Sequence, residues 1–127
     1  MFAETKAFSG FSVNDLAAAK TFYGETLGVR VSDVAEGLAQ LEFAGGRNVL
    51  FYEKSDHTPA TFTILNFPVA DVDAAVGELT KRGVAFERYE GFGQDEKGIA
   101  RGPEGPPIAW FTDPAGNVLA VLEDSGV

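Results

Sequence analysis

FSVNDLAAAKTFYGETLGV, residues 11–29, and FPVADVDAAVGELTKRGV, residues 67–84, are one pattern written twice. Phe11, Val13 and Asp15 align with Phe67, Val69 and Asp71 at a constant offset of 56, and Gly28-Val29 aligns with Gly83-Val84 one residue short of it. An internal repeat says how a chain is organised before any single residue does. Each copy reads as the end of a strand, a capped helix and a glycine stop. Residues Lys6 to Val13 alternate loosely, with Phe8, Gly10 and Ser12 on one face and Phe11 and Val13 on the other. Asn14 or Asp15 then caps a helix whose apolar stripe is Leu16, Ala19, Tyr23 and Leu27. Gly28 ends it, because glycine takes positive φ without a steric penalty. In the second copy Asp71 is the cap, Val72, Ala75, Val76 and Leu79 form the stripe, and Gly83 is the stop.

Outward from each copy the pattern is extended. Val29 to Val34, Leu38 to Phe43 and Asn48 to Glu53 read as strands, the last two joined by Ala44-Gly45-Gly46-Arg47. Ala60 to Val69, Val84 to Tyr89, Ile108 to Phe111 and Val118 to Leu122 read as strands of the second half. Asp113-Pro114-Ala115-Gly116-Asn117 is strong turn chemistry, with Pro114 presetting φ and Gly116 free to take positive φ. The expected fold is α+β: two βαβββ modules in tandem forming a cupped mixed sheet. Module 1 spans about 6–54, a polar linker 55–59, and module 2 about 60–123, all within one domain, 1–127. The glycine- and proline-rich segment 91–107 is long for a compact domain, which marks it as functional or mobile.

Composition removes several classes. There is no cysteine, hence no disulfide framework, thiolate zinc site or cysteine nucleophile. A net charge of −9 opposes nucleic-acid phosphates and anionic lipid, and it favours a cationic ligand. No apolar run reaches the roughly 18 residues of a membrane span. MFAETKAFSG has no basic region leading into a long apolar run, so no signal peptide is expected and a cytoplasmic location is. Eleven phenylalanines are more than a small core needs, so some are expected to line a cavity. Gly91-Phe92-Gly93 lacks the helix and glycine spacing of a phosphate loop. The single histidine, His57, sits in the linker with no nucleophile beside it in sequence. Asp71 and Asp73 stand at a helix start, where carboxylates favour the helix dipole.

The two modules, each opening on V-x-D and a short helix, together with AWFTDPAGN before the last strand, closely resemble the vicinal oxygen chelate superfamily. Its members include glyoxalase I, extradiol dioxygenases and bleomycin-binding proteins, and the resemblance covers about residues 6 to 123. It implies a cupped sheet with helices on the convex face, a ligand on the concave face, and a homodimer. It also implies four places for metal ligands. Two lie seven residues before each V-x-D aspartate, at Phe8 and Ile64. A third lies seven after Asp113, at Ala120. The last falls near Phe51, to within one residue. None of these four side chains can ligate a metal ion, so no metal, no cofactor and no catalytic residue is expected.

Strand alternation carried onto this frame gives the lining: Phe8, Phe51, Phe62, Ile64, Asn66 and Ala120, with Trp110 as a stacking face and Tyr89 as a hydroxyl at the rim. The expected function is binding of a partly apolar small molecule, for which a cationic ligand suits the acidity, as in sequestration or resistance. Two alternatives stand. One is an enzyme of the superfamily using unconventional residues, with Tyr89, Glu53 or Asp95 as acid or base. The other is a dimeric interaction module that needs no ligand. The 91–107 loop is either a lid over the cavity or an exposed charged loop.

Overall fold

The computed structural model describes residues 1–103 and 105–124. Glu104, within the expected loop, and residues 125–127, within the expected domain, lie outside the described residues. Contacts divide the chain into two units, 1–58 and 59 onward.

The first unit runs β1 (Ser9–Val13), α1 (Leu16–Thr21), β2 (Arg30–Ala35), β3 (Leu38–Glu42) and β4 (Val49–Glu53), which is βαβββ. Its sheet has the order β1-β4-β3-β2, with β1 and β4 parallel and the other pairs antiparallel. The α1 cap is Asp15, whose carboxylate accepts the Ala18 N–H at 3.1 Å. After Thr21 the helix loosens into a π-helical stretch, Phe22–Thr26, and the Leu27 N–H reaches back to the Phe22 carbonyl at 2.9 Å. That widening keeps Tyr23 fully buried, tilted against Phe11 and Phe51. Val13, Ala39 and Leu41 complete the fully buried part of this core.

The second unit runs β5 (Thr63–Val69), α2 (Val72–Lys81), β6 (Ile108–Thr112) and β7 (Val118–Glu123). Its order is β5-β7-β6, with β5 and β7 parallel and β6 and β7 antiparallel. The α2 cap repeats the first, with Asp71 accepting the Ala74 N–H at 3.1 Å. Phe111, Leu119, Val121 and Ala109 pack the core with Val72 and Val76 of α2. One expected strand is missing. The backbone of residues 84–89 pairs with β6 through a bridge from Phe86 to Phe111 and a 2.7 Å bond from the Glu87 N–H to the Trp110 carbonyl, too little to form a strand. Beyond that point the Tyr89 N–H turns to the Gln94 side chain at 2.6 Å, which diverts the segment from the sheet edge.

The DPAGN turn closes as its chemistry requires. Asp113 is 3% exposed and accepts from the backbone N–H groups of Ala115 and Asn117, both at 2.9 Å, and from the Asn117 amide at 3.0 Å. Gly116 takes φ +86°, and a Cβ there would stand 3.2 Å from Pro59 Cγ, so this place needs glycine twice over. Among the described residues no helix is long and apolar enough to cross a membrane.

Candidate functional site

Register assigns every strand residue to one of two faces. In the first unit the rows Phe11–Phe51–Ala39 and Val49–Leu41 point at α1, while Gly10–Leu50–Gln40 and Ser12–Tyr52–Leu38 point away from it. Phe51 therefore does not line the open face as expected. It is fully buried and stacked on Phe11, with ring centroids 5.6 Å apart and planes 10° apart. The one-residue uncertainty at this place was the cause, since a slip of one residue on a strand reverses the face. Leu50 and Tyr52 hold the open-face positions instead. Phe8 is 70% exposed, beside the start of β1.

In the second unit Asn66, Ala120 and Trp110 form one cross-strand row, and Pro68, Leu122 and Ile108 the next. Asn66 is exposed and Ala120 is fully buried. Ile64 is half-buried at the irregularity between Thr63 and Leu65, where the β5–β7 register shifts.

Four of the named side chains thus carry carbon where the resemblance calls for a donor: Phe8, Phe51, Ile64 and Ala120. Correcting the register to Leu50 or Tyr52 adds at most one phenol oxygen. Among the described residues no group of three or more His, Cys, Asp or Glu is placed to hold a metal ion. Hard and borderline divalent ions need several nitrogen or oxygen donors at once, so these residues do not fit one.

Two of the groups weighed as acids or bases, Glu53 and Asp95, hold structural hydrogen bonds. The Glu53 carboxylate accepts the Leu16 N–H at 2.9 Å, at the start of α1. Asp95 accepts from the backbone N–H groups of Lys97 at 2.9 Å and Ile99 at 3.0 Å, and from Arg101 at 3.0 Å. His57 is half-buried, and Ser12 Oγ lies 2.6 Å from its Nδ1. Sequence adjacency could not find that pair, because its members are 45 residues apart. Ser12 lines neither of the cavities described below.

Phe62, Tyr89 and Trp110 do come together. They line a cavity of about 360 Å³ with Thr61, Thr63, Phe92 and Val118. Tyr89 and Phe92 each pack edge to face with Trp110, with centroids 5.4 and 5.1 Å apart, and lie tilted against each other at 5.7 Å. Such angled contacts place the positive edge of one ring on the negative face of another. Phe92 is 50% exposed and Phe62 68% exposed, so apolar ring surface remains open to a ligand. Desolvation, with the charge of Glu87 second, raises the Tyr89 phenol above the ordinary tyrosine range.

Phe92 was not among the expected lining residues. Its cue was its place in a segment bounded by Gly91 and Gly93, both at positive φ. Gln94 secures that segment. Its carbonyl accepts the Tyr89 N–H, and its amide donates to the carbonyls of Glu87 and Gly98, both at 2.8 Å. The Arg88 guanidinium donates to the carbonyls of Asp95 and Glu96. Ala100 pairs with both Gln94 and Ile108, and Ile99 is fully buried. The part of the loop from Gln94 to Ala100 is therefore a tied hairpin, neither a free lid nor merely an exposed charged loop.

A second cavity, of about 820 Å³, lies in the first unit. It is lined by Lys6, Phe8, Val34, Gln40, Arg47 and Leu50, among others.

The sequence profile of the Glyoxalase/Bleomycin resistance protein/Dioxygenase superfamily matches residues 8–121. Among solved structures the chain is similar to TnmS3, an antibiotic-binding protein from Streptomyces sp. CB03234. The two share 25% identity with a TM-score of 0.69, over 96% of this chain and 98% of that one. It is similar also to a member of the same superfamily from Sphaerobacter thermophilus DSM 20745, at 22% identity and TM-score 0.70, over 93% and 97%. A glyoxalase family protein from Enterococcus faecalis matches at 21% identity and TM-score 0.65, over 97% and 100%. No curated protein matches significantly. With the profile spanning residues 8–121, the chain belongs to the glyoxalase/bleomycin resistance protein/dioxygenase superfamily.

Proposed function

We propose that the protein binds a partly apolar, cationic small molecule without a metal ion, and holds it rather than transforms it. The observation that carries this is the cavity walled by Phe62, Tyr89, Phe92 and Trp110. Small-molecule sites are concave and mostly apolar, with a few polar groups to set orientation. Here the Tyr89 hydroxyl and the threonines at positions 61 and 63 supply those groups. The Glu87 charge felt by Tyr89 supports a cation, as do the ring faces themselves, which attract cations. The antibiotic bound by TnmS3 supports sequestration as the biological purpose. We include a homodimer in the proposal, on the family resemblance, and exclude nucleic acid on the charge of −9.

The test is a thermal-shift and fluorescence screen of planar aromatic amines, matched neutral aromatics, and Ni, Zn, Mn and Fe salts. A ligand at a hundred times its dissociation constant adds about 2.7 kcal/mol to stability. Because Trp110 is the only tryptophan, its emission reports this cavity alone. Aromatic amines are expected to raise the melting temperature and quench Trp110, and Trp110→Ala to abolish both effects. A stabilising shift with a metal salt, or amine binding that leaves Trp110 unaffected, would overturn the proposal. Light scattering tests the dimer.

A further inference from the structure

The segment 84–89, diverted from the edge of β6, leaves a pocket of about 430 Å³ between itself, α2 and the Gln94–Ala100 hairpin. Its floor is apolar. Val76 and Val84 are buried there, and Phe86 is half-buried with its ring edge-on to Phe111, centroids 5.6 Å apart. Gly77 keeps the helix side open, since a Cβ there would meet nothing within 4 Å. In the first unit the helical glycine, Gly24, faces a neighbour instead: a Cβ there would stand 3.6 Å from Val31 Cγ2. Gly98, at φ +88°, sets the hairpin wall, because a Cβ there would stand 3.2 Å from Phe86 Cβ and only glycine allows that approach.

The rim carries two opposite charges. The Arg88 guanidinium donates to the carbonyls of Asp95 and Glu96 at 2.6 and 2.5 Å. These bonds hold it in place and leave it further N–H groups to donate. Both acceptors are neutral, so its positive charge is not cancelled. Glu96 brings a carboxylate to the same lining. Among the described residues neither Arg88 nor Glu96 is in an ion pair. The third charged group of the lining, Lys97, already pairs with Asp73 at 3.4 Å.

We propose that this pocket is a second binding site, for a small zwitterion with an apolar side group, of which a free aliphatic α-amino acid is the type. Its carboxylate meets Arg88, whose planar fork matches a carboxylate. Its ammonium meets Glu96. Its side group lies on Val76, Val84 and Phe86, opposite Gly77. A ligand of one charge alone fits less well, because an anion faces Glu96 and a cation faces Arg88. A guanidinium already held by backbone carbonyls loses little freedom on binding. The volume is in the range of small-molecule sites. The pocket shares no lining residue with the aromatic cavity, so neither proposal depends on the other.

The test uses the full chain and three probes with one side group: L-leucine, N-acetyl-L-leucine and L-leucinamide. Binding is followed by NMR, with the backbone amides of Gly77, Ala85 and Lys97 reporting this pocket and the Trp110 indole reporting the aromatic cavity. Free leucine is expected to shift the first set and to bind at least about fivefold more tightly than either blocked analogue, which one exposed charge pair can supply. Glu96→Gln is expected to erase the preference over N-acetyl-L-leucine and keep the preference over L-leucinamide. Gly77→Met fills the pocket from the helix side and is expected to abolish the shifts. Methionine forms helix better than glycine and has room there, so an unchanged or raised melting temperature is expected. The proposal is overturned if either analogue binds at these signals as tightly as leucine, or if Glu96→Gln keeps the preference over N-acetyl-L-leucine. It is equally overturned if Gly77→Met leaves the leucine shifts in place, or if leucine moves only Trp110 or no signal at all.

Discussion

The Glu53 carboxylate accepts the backbone N–H of Leu16 at 2.9 Å, so the last residue of one strand caps the helix of its own module. The second unit repeats the arrangement, with Glu123 accepting the Val72 N–H at 3.2 Å. Each helix start thus has two carboxylates, the local one from Asp15 or Asp71 and a distant one from the end of the final strand. The first turn of a helix leaves N–H groups without partners, and negative charge there is favourable. We expect Glu53→Ala and Glu123→Ala each to cost about 0.5–2 kcal/mol, as other lost N-terminal caps do. Chemical denaturation measures it. A loss of ligand binding by Glu53→Ala with stability unchanged would return Glu53 to the list of functional groups.

Gln94 holds three backbone groups at once and thereby fixes the position of Tyr89 and the hairpin after it. At about 1 kcal/mol for each hydrogen bond, Gln94→Ala is expected to cost about 3 kcal/mol. Gln94→Glu keeps the acceptor for Tyr89 but turns an acceptor toward two carbonyls, so it is expected to rescue little. Hydrogen exchange at Tyr89 and Ile99 separates loosening of the hairpin from global unfolding.

Asp73 and Asp95 share Arg101, at 2.6 and 3.0 Å. The Arg101 hydrogen bond holds the Asp73 carboxyl below its ordinary value. Partial burial works against the charge of Asp95, but the N–H groups of Ile99 and Lys97 and the Arg101 guanidinium outweigh it, so its pKa is lowered as well. A group with a lowered folded pKa contributes fully above the unfolded value, about 3.9 for aspartate, and loses that contribution as pH falls through the folded value. The melting temperature is therefore expected to fall below about pH 4. Asp73→Asn and Asp95→Asn are each expected to make that fall shallower, and raised salt to do the same.

Tyr89 gives the opposite limb. Its phenol is raised by desolvation first and by Glu87 second. Between the unfolded and folded values the native state keeps a proton that the unfolded state has lost, so stability falls as pH rises above about 10. In a Tyr23→Phe, Tyr52→Phe background, phenolate absorbance is expected to rise at a higher pH than in free tyrosine, and Glu87→Gln to lower that midpoint.

Much of this was legible from local pattern. The repeat placed both helices; Asp71 caps the second as read, and of the two candidates Asn14 and Asp15 it is Asp15 that caps the first. The DPAGN chemistry placed the last turn, and Trp110, Tyr89 and Phe62 do share one cavity wall. Each of these rests on interactions within a few residues or on strict two-residue alternation. Readings that needed register or long-range partners went astray. Phe51 reversed its face because a count along the chain is uncertain by one residue, and a strand changes face with each residue. The expected strand at 84–89 gave way because Gln94 takes the Tyr89 N–H that a sheet edge would have used.

Composition and repetition carried the architecture, because caps, turns and apolar stripes are local and are written in consecutive residues. The same ruler set Phe8, Ile64 and Ala120 at the places where the resemblance calls for donors. The meeting of Ser12 with His57, Glu53 with Leu16, and Lys6 with Arg47 in one pocket was settled by folding. Those partners come from separate strands and turns, and only sheet register and the course of the loops bring them within reach.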